Sequence, residues 1–507
     1  MVAHVSTVAL SGIHATTVDV QVQISSGLAS FQVVGLPDSA VKESRERVRA
    51  AFHAMGISLP AKRITVNLSP ADIAKEGSHY DLPIAVALLI ALKTVPQDAA
   101  ESAVFMGELS LDGSLSRVTG ALPAAIHACS EGYQTIFLPK TNTTEAAWAE
   151  NMNVYGAADL RSIISHMKGE HSLAAQTPTK RKAPSLDNVS DFRDIKGQES
   201  AKRAAEIAAA GGHNILFCGP PGSGKSMIAH RMVSILPALT AGEALDVSMV
   251  HSIAGLLGEE GLVWQRPFRD PHHSASAVAL CGGGLKAKPG EMSLSHHGVL
   301  FLDELPEFPR QVLETLRQPL ETGEITVSRA NHHVTYPSHF QLIAAMNPCP
   351  CGYLGHPKTA CSCTARQVQN YRSKLSGPLL DRIDLHVNVG AVDLADLSLP
   401  AAKEGSPDIA VRVQQARNVQ NKRFENTPHT TNTELSGKLL DEVTQLDNDT
   451  RKMLHDAGEK FGMSARGYHR VLRVARTIAD LAASEKVHRS HIAEALAYRY
   501  IPYQNTK

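Results

Sequence analysis

No run of this sequence is both long and apolar. The most hydrophobic stretch, Leu82 to Leu92, falls well short of the ~20 residues that a membrane-spanning helix needs, and it reads instead as a buried core helix. The N-terminus also lacks the charged start and apolar segment of a signal peptide. In its place the alternation Val18, Asp19, Val20, Gln21, Val22, Gln23, Ile24 predicts a half-buried strand. A cytoplasmic protein with no membrane partner is expected. Net charge is missing too, because 50 basic residues cancel 50 acidic ones. No overall positive field announces nucleic acid, so any such contact has to come from local basic patches or from assembly. Aromatic residues are few at 5%, against 43% hydrophobic and 20% charged, which agrees with a soluble globular chain. At 507 residues the chain is too long for one core, and length alone suggests about three domains.

The pattern changes along the chain divide it. Residues 1–168 mix short alternating strands with helices, including Asp38 to Met55 and one beginning near Asp81. Residues 169–188 carry Thr177, Pro178, Thr179, Lys180, Arg181, Lys182, Ala183, Pro184, which has no periodicity and breaks helix twice, so a linker is expected. Its basic triplet is read as solvated rather than as a nucleic-acid contact. Over 189–393 strands alternate with helices, the mark of a parallel sheet sandwiched between helices. Residues 394–507 are almost wholly helical, with one helix from Ile409 to Phe424, and form a helical C-terminal lid domain.

Within the α/β region the chemistry is concentrated in two places. The apolar run Ile215, Leu216, Phe217, Cys218 leads into Gly219, Pro220, Pro221, Gly222, Ser223, Gly224, Lys225, Ser226, and a helical pattern starts at Met227. Glycines there let the backbone curl until its N–H groups surround phosphate oxygens at a helix N-terminus, where the dipole favours anions. Lys225 would reach the β and γ phosphates and Ser226 the Mg²⁺. A buried-strand run from Gly298 to Leu302 then ends in Asp303 and Glu304, one carboxylate for Mg²⁺ and one to polarise the attacking water. These residues imply ATP and Mg²⁺ as cofactors and hydrolysis as the reaction. Asn347 ends the strand Gln341 to Met346 and can position that water. Arg382 lies in Leu379, Leu380, Asp381, Arg382, Ile383, Asp384, either as an arginine for a neighbour's γ-phosphate or as an ion pair with Asp381 or Asp384. Arg466 opens a helix that also holds Arg470, Arg473 and Arg476; it can sense nucleotide, although arginines on such a helix are usually solvated.

In this order and spacing the parts resemble the AAA+ ATPases of the magnesium-chelatase and minichromosome-maintenance clade, and within it the ComM (YifB) family, over essentially the whole chain. Phe192, Asp194, Ile195, Gly197 and Gln198 before the loop carry the likeness, as do Arg269, Asp270, Pro271, His272, His273, then Pro289, Gly290, Glu291, and finally Asn347, Pro348, Cys349, Pro350, Cys351, Gly352. The resemblance implies that Lys225, Ser226, Asp303, Glu304 and Asn347 act within one subunit while Arg382, and with it Arg466, reaches the next, so that hydrolysis requires a ring, a homo-hexamer. Two insertions would face the pore. The first, between Arg266 and Leu294, has Gly282, Gly283, Gly284 followed by Lys286 and Lys288, suited to a mobile basic hairpin. The second is a hairpin from Glu324 to Tyr336 that clusters Arg329, Asn331, His332 and His333 near its tip, where they would grip DNA phosphates or merely brace subunit contacts.

Phe31 to Ser165 resembles the Lon-protease fold, an α+β domain of ribosomal S5-like type, through Val66, Asn67, Leu68 with Lys75, Glu76, Gly77, and Gly107, Glu108, Leu109 with Asp112, Gly113. Its chemistry is missing: the nucleophilic serine position holds His79 and the activating lysine position Leu122, with Ser78 beside the site. Proteolysis is not expected. Cys349, Cys351, Cys361 and Cys363 form CxC, nine residues, CxC, and in a reducing cytoplasm favour tetrahedral zinc over disulfides, although zinc loops more often use CxxC. The His pairs beginning at His272, His296 and His332 are assigned to loops and pore contacts.

By resemblance, then, the expected function is a ring-shaped DNA motor, a helicase acting in branch migration on single-stranded or branched DNA, which promotes homologous recombination during natural transformation. The alternative is a chelatase-type remodelling ATPase that assists Mg²⁺ insertion into a porphyrin. Against it stand Cys349, Pro350, Cys351 where chelatase subunits carry acidic residues, and the absence of a DxSxS motif.

Overall fold

The computed structural model describes residues 2–179, 190–284, 287–329, 332–392, 400, 403–427 and 429–499, with Arg329 and His332 described in backbone only. Lys286, Asn331, the basic triplet 180–182 and the side chains of Arg329 and His332 therefore lie outside the described residues.

The N-terminal domain is built on a mixed eight-stranded sheet. Its spatial order is Ala175–Gln176, Asn153–Ala157, Thr135–Pro139, Ala103–Phe105, Val2–Ser11, His14–Ser25, Arg63–Ser69, Ser30–Val34. Alternation decides the faces: Val18, Val20 and Val22 are buried while Asp19 and Gln21 stay partly exposed. The helix Ser39–Ala54 starts where Asp38 caps it, its carboxylate accepting from the Val41 N–H at 2.7 Å. The apolar run beginning at Leu82 forms the helix Asp81–Ala91, buried from Asp81 through Ile90. The linker reading needs correction at one point, because Ala175–Gln176 pairs antiparallel with Asn153–Ala157 and extends the sheet.

At the two positions that would carry protease chemistry the domain is closed. Leu122 is fully buried, and the His79 ring is 6% exposed with Nε2 at 2.9 Å from the Val8 carbonyl. Burial lowers the His79 pKa to about 4, so the ring is a neutral core group. Ser78 hydrogen-bonds Glu108, and Lys75 is fully buried against the Pro70 carbonyl.

The second sheet has five parallel strands in the order Phe268–Arg269, Val299–Leu302, Gln341–Met346, Ile215–Cys218, Leu385–Asn388. Val299–Leu302 and Gln341–Met346 are buried along their whole lengths, as strands covered on both faces must be. Ile215, Phe217 and Ile343 pack with the alanine-rich helix Glu199–Gly211 and with the C-terminal helices Ser406–Arg423 and Ala465–Leu481. Leu216, Leu300 and Leu342 face the other way, onto Phe308, Val312 and the hairpin residues Ile325, Val327, Val334 and Tyr336. Parallel strands with helices on both faces and a C-terminal helical cluster are the arrangement that the resemblance implies.

Glu324–Arg329 and His332–Pro337 form the expected antiparallel hairpin, with Arg329 opposite His332. The first insertion also closes as a short pair, Gly282–Gly283 with Lys288–Pro289. The insertions are joined, since the Tyr336 hydroxyl donates to the Ala287 carbonyl at 2.8 Å. Arginines of the helix Ala465–Leu481 are not all solvated as expected: Arg476 is 1% exposed and paired with Asp480 at 2.9 Å, and Arg470 is buried with its guanidinium donating to the Asp381 carbonyl.

A tight seam joins the two domains. Ser252, on the helix Ala241–Ala254, donates to the buried Glu145 carboxylate at 2.5 Å, and its carbonyl accepts from the Gly120 N–H. Trp148 meets Trp264 edge to face at 5.4 Å. The turn at Gly12 lies against the hairpin so closely that an added Cβ would sit 2.5 Å from Val334 Cγ1.

Candidate functional site

The site forms at the carboxyl ends of the strands, the usual place for a ligand in an open α/β sheet. Ile215–Cys218 delivers the chain into the loop. Gly222 and Gly224 take left-handed φ values of 73° and 89°, and the helix starts at Lys225, two residues earlier than the sequence pattern suggests. Gly219 is hemmed in differently: a Cβ there would lie 2.2 Å from the Val389 carbonyl oxygen. Ser223 is buried, while Pro221 and Gly222 are exposed at the rim.

Lys225 is 8% exposed, and its ammonium is held by the Gly219 and Pro220 carbonyls, both at 2.9 Å. Burial lowers its pKa, with Asp303 opposing the shift. From the neighbouring strand, the Asn347 amide oxygen stands 3.4 Å from the same nitrogen. Ser226 donates to Asp303 at 2.6 Å, which puts a hydroxyl and a carboxylate side by side as a Mg²⁺ pair requires. Lysine, hydroxyl–carboxylate pair and loop N–H groups thus fit a Mg²⁺-bound nucleotide triphosphate. Glu304 has a left-handed backbone (φ 51°, ψ 44°) that turns the chain sharply after Asp303, and its side chain is half exposed, free to polarise a water.

Two groups that the sequence reading did not assign to this site belong to it. His273, in the loop after Arg269, has its Nδ1 3.2 Å from the Glu304 carboxylate. Asp270 stands 3.6 Å from His230, and burial, reinforced by the nearby Asp303 charge, raises its pKa. Nearby, Arg269 grips Glu291 through two nitrogens at 2.5 and 2.8 Å. The only sequence hint was the run Arg269 to His273 itself, which resembles the family without revealing what it touches.

Arg382 and Arg466 are not brought to this loop. Leu385 pairs with Ile215 and Asn388 with Cys218, so Arg382, just before Leu385, sits at the opposite end of the sheet from the loop. A cleft of about 940 Å³ opens there, lined by Asn214, Gly298, Gln341 and Asp384 at the strand starts, and by both arginines. Arg382 pairs with Glu321, not with Asp381 or Asp384. Asp381 is taken by Arg470; Asp384 lies near His213 and Thr433. The Glu321 carboxylate is held below its usual range, first by Arg382 and further by Arg466.

Of the proposed DNA contacts that are described, Lys288 is exposed on the first hairpin and His333 is exposed on the second, its ring 3.0 Å from Ser328 Oγ. The four cysteines do come together. Cys349, Cys351 and Cys361 lie 3.4 to 3.6 Å apart sulfur to sulfur, and all four sulfurs fall within 4.8 Å of one another. Backbone N–H groups of Tyr353 and Ser362 lower the Cys351 pKa to about 5. A second group, Asp246 with His296 and His297, is also close enough to share an ion.

Comparison with known proteins agrees with this geometry. Residues 191–397 match the family model for magnesium chelatase, subunit ChlI; 20–142 match that for subunit ChlI of Mg-chelatase; and 403–499 match that for its C-terminal part. A protein of Salmonella typhimurium named uncharacterized protein YifB is 42% identical over 501 residues, covering 98% of this chain and 97% of its own. Competence protein ComM of Haemophilus influenzae is 42% identical over 494 residues, 96% of this chain and 95% of that one. The magnesium-chelatase 38 kDa subunit of Rhodobacter capsulatus is 27% identical over a shorter region, 32% of this chain and 51% of the subunit. With the phosphate loop, the acidic strand end and the five-stranded parallel sheet all in place, and with matches running from end to end, the chain belongs to the ComM (YifB) family of magnesium-chelatase-like AAA+ ATPases.

Proposed function

We propose that this ATPase works as a homo-hexameric ring that moves on DNA, opening or migrating branched structures during homologous recombination of incoming DNA in natural transformation. The observation that carries the ring is the position of Arg382 and Arg466 at the far end of the sheet from the chain's own phosphate loop. A four-residue strand spans roughly 13 Å, and Arg382 is directed to Glu321 on the far side. An arginine so placed assists hydrolysis only on a neighbouring subunit, where it offsets charge building on the transferred phosphoryl group.

The DNA reading is supported by the name of the Haemophilus relative and by the two joined hairpins, one bearing Lys288 and the other His333. Lys286, Arg329, Asn331 and His332 belong to the same reading as sequence-independent phosphate contacts. The N-terminal domain, read as Lon-like in fold, would assemble or bind without cutting. ATP and Mg²⁺ are the cofactors, and the four-cysteine loop holds one zinc ion.

A chelatase-type remodelling role is favoured by the three family models alone. One measurement separates the two: the ATPase rate with and without single-stranded or branched DNA, with Lys225→Ala as the inactive control. Stimulation of about tenfold or more by DNA is expected; a flat rate shifts the assignment to protein remodelling.

A further inference from the structure

The four-cysteine loop begins two residues beyond Asn347, and every route out of it leads back to the nucleotide site. Gly352, between the second cysteine and Tyr353, has φ 84° and lies against the phosphate loop; a Cβ there would stand 2.6 Å from Pro221 Cδ. After Cys363 the chain enters the helix Ala365–Arg372, capped by Thr364, and this helix returns to where the loop began. Arg372 donates to the Pro348 carbonyl through two nitrogens, at 2.9 and 3.1 Å. The loop is thus a closed circuit from Pro348, next to Asn347, back to Pro348, and Gly352 on it lies against Pro221.

What keeps the circuit in shape is not packing. From 351 to 364 there is no helix or strand until the capping residue, and residues 357–360 are exposed. Its hydrogen bonds are local, the Gly352 N–H to the Cys349 carbonyl and the Lys358 and Thr359 N–H groups to His356 Nδ1, so joining its two cysteine pairs requires a cross-link. The sulfurs supply the means. Two thiolates sharing a tetrahedral zinc at ~2.3 Å stand about 3.8 Å apart, against 3.4 to 3.6 Å among Cys349, Cys351 and Cys361. The N–H of Cys351 points at Cys363 Sγ and that of Cys363 at Cys361 Sγ, each at 3.4 Å, the outer hydrogen bonds that thiolate ligands accept.

We infer that zinc in this loop is a brace for the ATPase site: it fixes Asn347 and Pro221, so its removal slows hydrolysis while nucleotide binding and the fold persist. This rests on the zinc reading of the four thiols. Asn347 and Pro221 are positioned through the loop, and the cysteines touch no reacting atom. Phosphate binding depends on Lys225, Ser226 and the loop N–H groups beyond Pro221, and the circuit meets that loop only at the exposed Pro221 on its rim; alignment of the attacking water depends on Asn347, which the circuit holds directly.

The test uses the full chain. Zinc content is measured by elemental mass spectrometry on the purified protein, on Cys361→Ser and on Gly352→Ala, together with kcat, ATP affinity and thermal melting. One zinc per chain is expected in the purified protein and none in Cys361→Ser, whose kcat falls about tenfold or more while ATP affinity and the melting transition stay close to the parent values. Cys361→His, which keeps a zinc ligand, should restore both metal and rate. Gly352→Ala should retain zinc and still lose rate, because a side chain at φ 84° strains the backbone and its methyl group meets Pro221; loss of zinc in this variant would overturn the use of Gly352 as a contact separate from the metal. If the purified protein holds no zinc, the zinc reading falls and the brace falls with it. Should zinc be bound and its loss leave kcat unchanged, the brace alone is overturned. Equal loss of ATP affinity, melting cooperativity and rate would also overturn it, in favour of a merely structural ion.

Discussion

The two ends of the five-stranded sheet are made of the same strands and are chemically opposite. At the carboxyl ends the groups already touch one another: Lys225 with Asn347, Ser226 with Asp303, Glu304 with His273. At the amino ends Arg382 and Arg466 flank Glu321 in an open cleft, at the far end of the sheet from the phosphate-binding loop of their own chain. The first end is preorganised for chemistry; the second is complementary to something it does not contain. A parallel sheet has two unlike ends by construction, and under the proposed ring the arginine end of one chain would complete the loop end of the next.

Separating the halves gives the largest effect. Lys225→Ala and Arg382→Ala should each lower ATP turnover by about 10³-fold or more, for different reasons. Mixing the two variants should recover part of the activity, because rings then contain interfaces with one intact loop and one intact arginine. If the mixture stays as inactive as its components, the ends do not serve each other. Glu304→Gln should reduce turnover by about 10² to 10⁴-fold and leave ATP binding measurable by fluorescent nucleotide titration; lost binding would mean that Glu304 belongs to the phosphate cradle. His273→Ala tests the smallest step and should lower kcat about tenfold with KM little changed. A larger effect on KM would move His273 from orienting Glu304 to contacting nucleotide.

Local signals were legible in the sequence, and distant contacts were not. Ile215–Cys218 and Gln341–Met346 appear with the bounds their apolar runs suggest, because a strand buried on both faces is a short continuous run. Asp38 before a helical pattern, and the hairpin from Glu324, are likewise decided within a few residues. The partner of Arg382 is Glu321, 61 positions away, and no spacing rule selects it over the adjacent Asp381 and Asp384. The same holds for Arg476, buried because Asp480 one turn on and the Ser484 and Glu485 carbonyls satisfy its guanidinium. Ala175–Gln176 reads as linker because two residues carry no period, and only the free edge at Asn153–Ala157 makes them a strand.

The turn at Gly12 ties the N-terminal domain to the hairpin of the ATPase domain. There is no room for even one added carbon between it and Val334, so the hairpin is packed directly on that domain. Ser252 and Glu145 pin the same domain to the Ala241–Ala254 helix. Those two fastenings mean that a displacement of either the hairpin or the helix is felt by the N-terminal domain.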